Sequence, residues 1–203
     1  MKVILIGASG TLGQAIAHEL SARHDIVRAG RGGADIQVDI TDPASVAQMY
    51  EKVGAVDAVV CAAGNVHFGP LGEITPAQFG VGLADKLMGQ VHLVTAGQHR
   101  IADGGSFTLI SGVLSHDPIR WGTSASMVNA AVDAFVKAAA IELPRGIRIN
   151  SVSPTVFVES MATYGPYFRG FKPVAVADAA LAFAKSVEGG QTGRVYHVGP
   201  STD

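Results

Sequence analysis

Three glycines stand where they could hold a phosphate: Gly7, Gly10 and Gly13 in "VILIGASGTLGQAIAHEL", at the point where an apolar strand pattern gives way to an amphipathic helix pattern. A turn of this kind demands unusual backbone dihedrals, lets a pyrophosphate approach the N–H groups of a helix N-terminus, and packs helix closely on strand. Glycine serves each need, and Ser9, Thr11 and Leu12 complete the cradle. With a strand before it and a helix after it, the pattern reads as a dinucleotide-binding turn. Choice between the nicotinamide dinucleotides is made at the end of the second strand, where an acidic side chain would bind the ribose 2′-OH of NAD(H). Here "IVRAGR" ends in Arg31, which could instead take a 2′-phosphate through charge-assisted hydrogen bonds, so NADP(H) is favoured over NAD(H). Arg28 competes for that role, and a solvated loop arginine is the alternative. Asp39 in "VDITDPASV", followed by Ile40, either hydrogen-bonds adenine or caps the next helix beside Asp42.

Other chemistry is sparsely provided for. Of the seven histidines, His92 and His99 lie seven apart and no His-x-x-x-His or cysteine pair occurs, so no metal site is expected. Cys61 is the only cysteine, which excludes an internal disulfide, fits a reducing compartment and leads us to expect a cytoplasmic protein. A net charge of −2 with 16% charged residues provides no basic field for nucleic acid or an anionic membrane, which leaves a small-molecule ligand as the expected partner. The four-residue apolar run before Gly7 is too short for a signal peptide, and no run approaches the ~20 residues of a membrane helix.

The elements that must position these residues alternate along the chain. Short β-branched runs occur at Val3 to Ile6, Ile26 to Val27, Ile36 to Val38, Ala58 to Cys61, Phe107 to Ile110, Arg148 to Val152 and Arg194 to Val198. Helical patterns fall between them at Leu12 to Arg23, Pro43 to Val53, Pro76 to Ala102, Ser124 to Leu143 and Val176 to Glu188. Alternation of this kind implies βαβ units and a parallel sheet covered on both faces. Asp42 before Pro43 and Thr75 before Pro76 supply N-caps. Between the second and third strands "GRGGADIQVDI" is too short for a crossover helix, so that helix is expected to be missing or reduced to a turn.

Taken together, the chain resembles the short-chain dehydrogenase/reductase family over nearly its whole length. "GASGTLG" resembles the family's glycine-rich turn, "CAAG" (Cys61 to Gly64) its Asn-Ala-Gly motif, and "RGIRINSVSPT" the segment leading into its Pro-Gly motif, with Thr155 in place of the glycine. The resemblance implies one α/β domain over residues 1–203, a Rossmann-type doubly wound parallel sheet of about seven strands in a three-layer α/β/α arrangement. It also implies cofactor contacts from Ala62, Ala63, Gly64, Ser111, Pro154 and Val156, and a homodimer or homotetramer built on the long helix and the Ala-rich one.

Family chemistry uses a tyrosine, a lysine four residues later that lowers its pKa, a serine and a supporting asparagine. Anchored on "AAVDAFVKAAAIEL", Asn129 takes the lysine position and Ala125 the tyrosine position; anchored on "GGSFTLISG", Gly112 takes the serine position, thirteen residues before Ala125. In "FGVGLADKLMG" the asparagine position falls on Lys86. The rival register, placing Thr123 and Met127 at the pair, restores neither residue, and no Tyr-x-x-x-Lys occurs anywhere. The expected protein therefore lacks the standard proton route. Lys86 could protonate a substrate carbonyl, bind the cofactor ribose, or be a surface lysine. Ser111 points to the opposite face from Gly112 and suits backbone hydrogen bonding near the cofactor. His116 could act near neutral pH or be a solvated loop residue. Asn129 either holds the lysine's place or belongs to a polar stripe with Asp133 and Lys137, the last two spaced to pair. The aromatic Phe157 to Pro173 segment reads as a substrate lid or a packed surface loop, and Trp121, the only tryptophan, is expected close to the nicotinamide. Two functions fit: an NADP(H)-dependent oxidoreductase acting on a small carbonyl or alcohol by a non-standard proton route, or a non-catalytic NADP(H)-binding sensor or regulatory protein.

Overall fold

Seven apolar runs become seven parallel strands: β1 (Lys2–Ile6), β2 (Asp25–Gly30), β3 (Ile36–Gln37), β4 (Val56–Cys61), β5 (Ile101–Ile110), β6 (Arg148–Pro154) and β7 (Val195–Val198). In the computed structural model, which describes residues 1–200, their order is β3-β2-β1-β4-β5-β6-β7. Alternate residues of β1 feed opposite layers, because successive strand side chains point to opposite faces. Ile4 and Ile6 pack with Met49 and Tyr50 of helix α2 (Pro43–Val53), Leu93 of α4 (Gly89–Gly97) and Val132 and Val136 of α5 (Thr123–Ala139). Val3 and Leu5 pack with Ile16 and Leu20 of α1 (Thr11–Ser21) and Phe183 and Val187 of α7 (Val176–Glu188). Each such aliphatic side chain, when fully buried, contributes roughly 1.5–3 kcal/mol. The three-layer architecture expected from the sequence is thus present.

Local signals act where they were read. Asp42 accepts a hydrogen bond from the Ala44 N–H at 2.9 Å ahead of Pro43, and Thr75 and Gln78 form a reciprocal capping box around Pro76. No helix joins β2 to β3, as the short segment between them required.

Three expectations are corrected. The single helix expected over Pro76 to Ala102 is divided into α3 (Pro76–Gly82), a π-helical turn (Leu83–Met88) and α4 ending at Gly97. Ile101 and Ala102 belong to β5, because Ile101 pairs with Val56 in the sheet and that register outweighs helical spacing. Helix α5 ends at Ala139 rather than Leu143, since Pro144 disfavours helical geometry at the residue before it. Finally, the Asn129–Asp133–Lys137 stripe does not face solvent as a unit. Asn129 and Asp133 are buried, only Lys137 is exposed, and Asp133 accepts a 2.7 Å hydrogen bond from the Ser151 hydroxyl on β6 instead of pairing with Lys137. A buried carboxylate needs such a partner more than a surface ion pair needs to form.

Candidate functional site

The glycine turn follows β1. Gly7 has φ +81°, its N–H bonds the Ala29 carbonyl at 2.9 Å, and a Cβ on Gly13 would overlap the Gly7 carbonyl oxygen. Helix α1 therefore lies closer to the turn than any side chain at Gly13 would allow. Its N-cap, Gly10, makes no side-chain hydrogen bond, so the first-turn N–H groups of Thr11, Leu12 and Gly13 are uncapped by protein side chains.

That turn forms one wall of a cleft of about 380 Å³ at the point between β1 and β4 where strand order reverses. Gly7, Ser9 and Gly10 line it from the turn, Asp39 and Ile40 from beyond β3, and Ala62, Ala63 and Gly64 from beyond β4. Thr11, Leu12 and Gly13 stand behind the turn at the start of α1. Arg31 borders the cleft and also a neighbouring cavity of about 330 Å³ that Ser45 and Lys52 line. Arg28 lines neither; it is exposed on β2, its N–H bonded to Asp35. Asp39 lines the cleft, and its Oδ1 accepts from the Thr41 hydroxyl (2.8 Å) and N–H (2.9 Å), bracing the turn ahead of the helix that Asp42 caps. Those bonds, with Arg31 adding its charge, hold the carboxyl below its ordinary pKa. Sequence reasoning missed Asn65 and Asp85, which also line the cleft and bond each other at 2.8 and 3.1 Å, tying the loop after β4 to the π-helical turn.

A second, more apolar pocket of about 230 Å³ opens alongside. Gly112, Ala125, Asn129 and Lys86 all border it, so the four positions found by counting along the sequence converge in space. Pro154 at the end of β6 and Val156 just beyond it join them, with Val66, Phe68, Leu114 and Phe168 supplying apolar wall. Lys86 Nζ donates to the Ser111 carbonyl at 2.8 Å, and burial lowers its pKa to about 8, with Asp133 among the groups opposing the shift. The backbone of Lys86 is held by Gln90, fully buried, whose amide donates to the Lys86 carbonyl (2.9 Å) and the Ile110 carbonyl (3.0 Å) and accepts from the Ile110 N–H (2.8 Å). A π-helical turn breaks the regular ladder, and π-turns inside helices are frequent at functional positions. A glutamine in the apolar helix stretch before Leu93 was the available signal for this staple.

Two glycines explain how these side chains fit. The Lys86 stem crosses Gly64, where φ is +144° and an added Cβ would fall 2.6 Å from Lys86 Cγ. Likewise a Cβ at Gly112 would fall 3.0 Å from Asn129 Nδ2, so the asparagine amide fills the space beside the vacant serine position. Asn129 is 4% exposed and its Oδ1 has no hydrogen-bond partner in the protein. Buried acceptors are rarely left so, and a ligand hydroxyl would satisfy this one. Gly64→Ala is expected to displace Lys86 at an overpacking cost of ~1–3 kcal/mol of stability and to weaken NADPH binding about tenfold, ~1.4 kcal/mol. Calorimetry beside a far-UV spectrum separates that loss from misfolding.

Other candidates lie elsewhere. The Ser111 hydroxyl contacts the Val152 carbonyl at 3.4 Å, and only its own carbonyl reaches Lys86. His116 is exposed and lines neither the cleft nor the Lys86 pocket. Cys61 is buried with its thiol pushed up to about 12, which makes it inert at neutral pH. Trp121 borders neither of the two and packs against Tyr167 at 5.7 Å, so it reports on the Phe157 to Pro173 segment rather than on a bound ring. That segment contains a 3₁₀ turn (Val158–Ser160) and a short helix, α6 (Met161–Tyr164), and gives Phe157, Ser160, Tyr164 and Phe168 to the pocket wall. The Glu159 carboxylate ties it to α7 by accepting from the Val176 N–H at 3.1 and 3.2 Å. Among the described residues no cluster of three or more metal-ligating side chains occurs, and no helix is long and apolar enough to cross a membrane.

Comparison with known proteins places the family and the fold. The family model described as Enoyl-(Acyl carrier protein) reductase matches residues 2–188. The solved structure of the protein lin1944 from Listeria innocua superposes with a TM-score of 0.96 at 52% identity, covering 98% of this chain and 99% of that one. A small-chain dehydrogenase solved in complex with NADPH superposes with a TM-score of 0.88 at 26% identity, covering 98% and 96%. L-xylulose reductase of Mus musculus is 30% identical over 166 residues, 78% of this chain and 67% of that protein. The chain spans 50–67% of the length of the curated relatives it matches first.

Proposed function

The chain belongs to the short-chain dehydrogenase/reductase family, and on that premise we propose that it is an NADP(H)-dependent oxidoreductase of small carbonyls or alcohols in which Lys86 replaces the missing tyrosine as proton donor. The observation that carries this reading is a pair of polar groups meeting in a largely apolar pocket beside the dinucleotide cleft: the Lys86 ammonium and the unpartnered Asn129 Oδ1. The cleft suits a dinucleotide because its turn admits no side chain at Gly13 and leaves the α1 N-terminus uncapped. When bound, the nicotinamide supplies or accepts hydride at the substrate carbon. Lys86, with a pKa near 8, is protonated at neutral pH yet close enough to that pH to release its proton to a developing alkoxide. Asn129 Oδ1 accepts from a hydroxyl of ribose or substrate, and Phe68, Leu114 and Phe168 keep water from the reacting atoms.

Arg31, with Lys52 across the adjoining cavity, supports a 2′-phosphate and hence NADP(H). Titration by calorimetry is expected to show NADPH binding about tenfold or more tighter than NADH, a gap of ~1.4 kcal/mol that Arg31→Ala should close. Equal affinities would overturn the choice of nucleotide, and no binding of either would overturn the reading. The absence of a tyrosine at Ala125 and a lysine at Asn129 keeps a second reading alive, a non-catalytic NADP(H)-binding sensor. A carbonyl substrate screen with NADPH consumption as readout decides between them. The groove of about 290 Å³ that Val94, Phe135 and Leu143 line between α4 and α5 is the face a homodimer or homotetramer would cover.

A further inference from the structure

A lysine held beside an apolar pocket has chemistry beyond giving up a proton, provided that no acid ties it into an ion pair. Among the described residues no carboxylate lies within ion-pair distance of Lys86, and none lines the pocket that it borders. Asp133, the carboxylate that acts on it through space, is engaged by the Ser151 hydroxyl. One hydrogen bond holds Lys86 Nζ, the 2.8 Å bond to the Ser111 carbonyl. A neutral amine making that bond keeps a second N–H and its lone pair for a ligand.

The position of the nitrogen is equally defined. The carbonyl it meets belongs to the peptide joining Ser111 to Gly112, and Gly112 is the residue beside which the Asn129 amide lies, a Cβ there falling 3.0 Å from Asn129 Nδ2. Lys86 Nζ and the unpartnered Asn129 Oδ1 therefore converge on one peptide at the wall of one pocket. The stem lying over Gly64 and the Gln90 bond to the Lys86 carbonyl fix the nitrogen in advance, so little reorganisation precedes attack on a bound group. Burial supplies the remaining requirement. Only the free amine attacks a carbonyl, and Lys86, titrating near 8 rather than 10.5, provides far more of it at neutral pH than a surface lysine does.

We propose that the pocket has a second activity, the reversible condensation of the Lys86 amine with small apolar aldehydes to give an imine. The Nζ lone pair forms a bond to the aldehyde carbon, the carbonyl π pair moves to oxygen, and a proton passes from nitrogen to that oxygen. The resulting carbinolamine donates its hydroxyl hydrogen to Asn129 Oδ1. Its C–O bond then breaks as C=N forms and water leaves, so aldehyde and amine become imine and water with no oxidant or reductant. Phe68, Tyr164 and Phe168 line the pocket and favour an aromatic or branched aliphatic tail. The activity shares a side chain with the function proposed above but needs no nucleotide, so the two can be tested apart.

The test incubates the full chain, without nucleotide, with benzaldehyde and sodium cyanoborohydride, which reduces an imine to a stable secondary amine. Mass spectrometry then maps the benzylated lysines. Lys86 is expected to be labelled about tenfold or more faster than Lys2, Lys52, Lys137, Lys172 or Lys185. Lys86→Met and Lys86→Arg should each lose that fast label while the slow labelling elsewhere is unchanged. Dilution before the reductant is added should also remove it, as reversibility requires. Labelling of Lys86 no faster than that of the other five, or a fast label that persists in both variants, overturns the proposal. The wild-type map decides even if a variant misfolds. Calorimetry with NADPH reads the other function: binding without fast labelling would sink the imine alone, and fast labelling without binding would sink the oxidoreductase alone.

Discussion

Replacing Lys86 with methionine should abolish turnover and at the same time make the protein more stable. The first effect follows from the pocket: no tyrosine borders it except Tyr164, which lies on the Phe157 to Pro173 segment, and removing a positioned acid typically forfeits ~10²–10⁴ in rate. The second follows from burial, which makes the ammonium form of Lys86 costly. A lysine in the unfolded chain titrates near 10.5, whereas in the fold it titrates near 8. Between those values the unfolded chain binds a proton the folded one lacks, so wild-type stability rises with pH from about 8 to 10.5, and below 8 the full cost is present. Methionine has similar length and no charge, so that cost disappears. Thermal unfolding at neutral pH should show the variant melting about 2–4 °C higher for each kcal/mol recovered, without the wild type's rise above pH 8. A melting point that falls instead would mean that the bond to the Ser111 carbonyl outweighs desolvation. Reduction by the wild type should also slow above pH 8, as the proton donor is lost.

Gly13→Ala should cost NADPH affinity about 100-fold or more and destabilise the fold by ~1–3 kcal/mol, the range for overpacking a close contact. The added methyl group would coincide with the Gly7 carbonyl, forcing α1 away from the turn and moving the N–H groups that a pyrophosphate would use. Gly10→Ala supplies the contrast. There the new Cβ would sit 3.5 Å from the same carbonyl, an ordinary contact, and φ is −74°, so the fold should hold. Calorimetry with NADPH and urea unfolding of both variants reads the difference; Gly13→Ala binding like wild type would remove the turn from the site.

How much of this was legible depends on how local each cause is. The glycine turn was readable because the geometry it needs is satisfied within seven residues, Gly7 to Gly13. The meeting of Gly112, Ala125, Asn129 and Lys86 could be counted because regular helices and strands carry spacing forward over long stretches. The π-helical turn at Leu83 to Met88 could not, since one widened turn barely disturbs apolar periodicity. Asp133 was misplaced because polarity argues for solvent, while the hydroxyl that satisfies it, on Ser151, comes from a strand 18 residues away. His116 was noticed, but His197, whose ring meets its own edge to face, is supplied by the far end of the sheet, and no local pattern joins the two.

The two main cavities take their walls from the ends of β1, β2, β4, β5 and β6, with a third cavity beside them adding β7. Each strand reaches that edge from a different part of the chain, and no two consecutive elements can assemble the whole binding surface alone. Nucleotide capture is consequently a test of complete folding: a partly folded intermediate offers only a fragment of the surface, so most of the ligand's free energy accrues to the finished state. At 100-fold excess over its dissociation constant a cofactor adds ~2.7 kcal/mol against unfolding. The supply of reduced nucleotide would then govern how long each molecule survives proteolysis, as well as how fast it works.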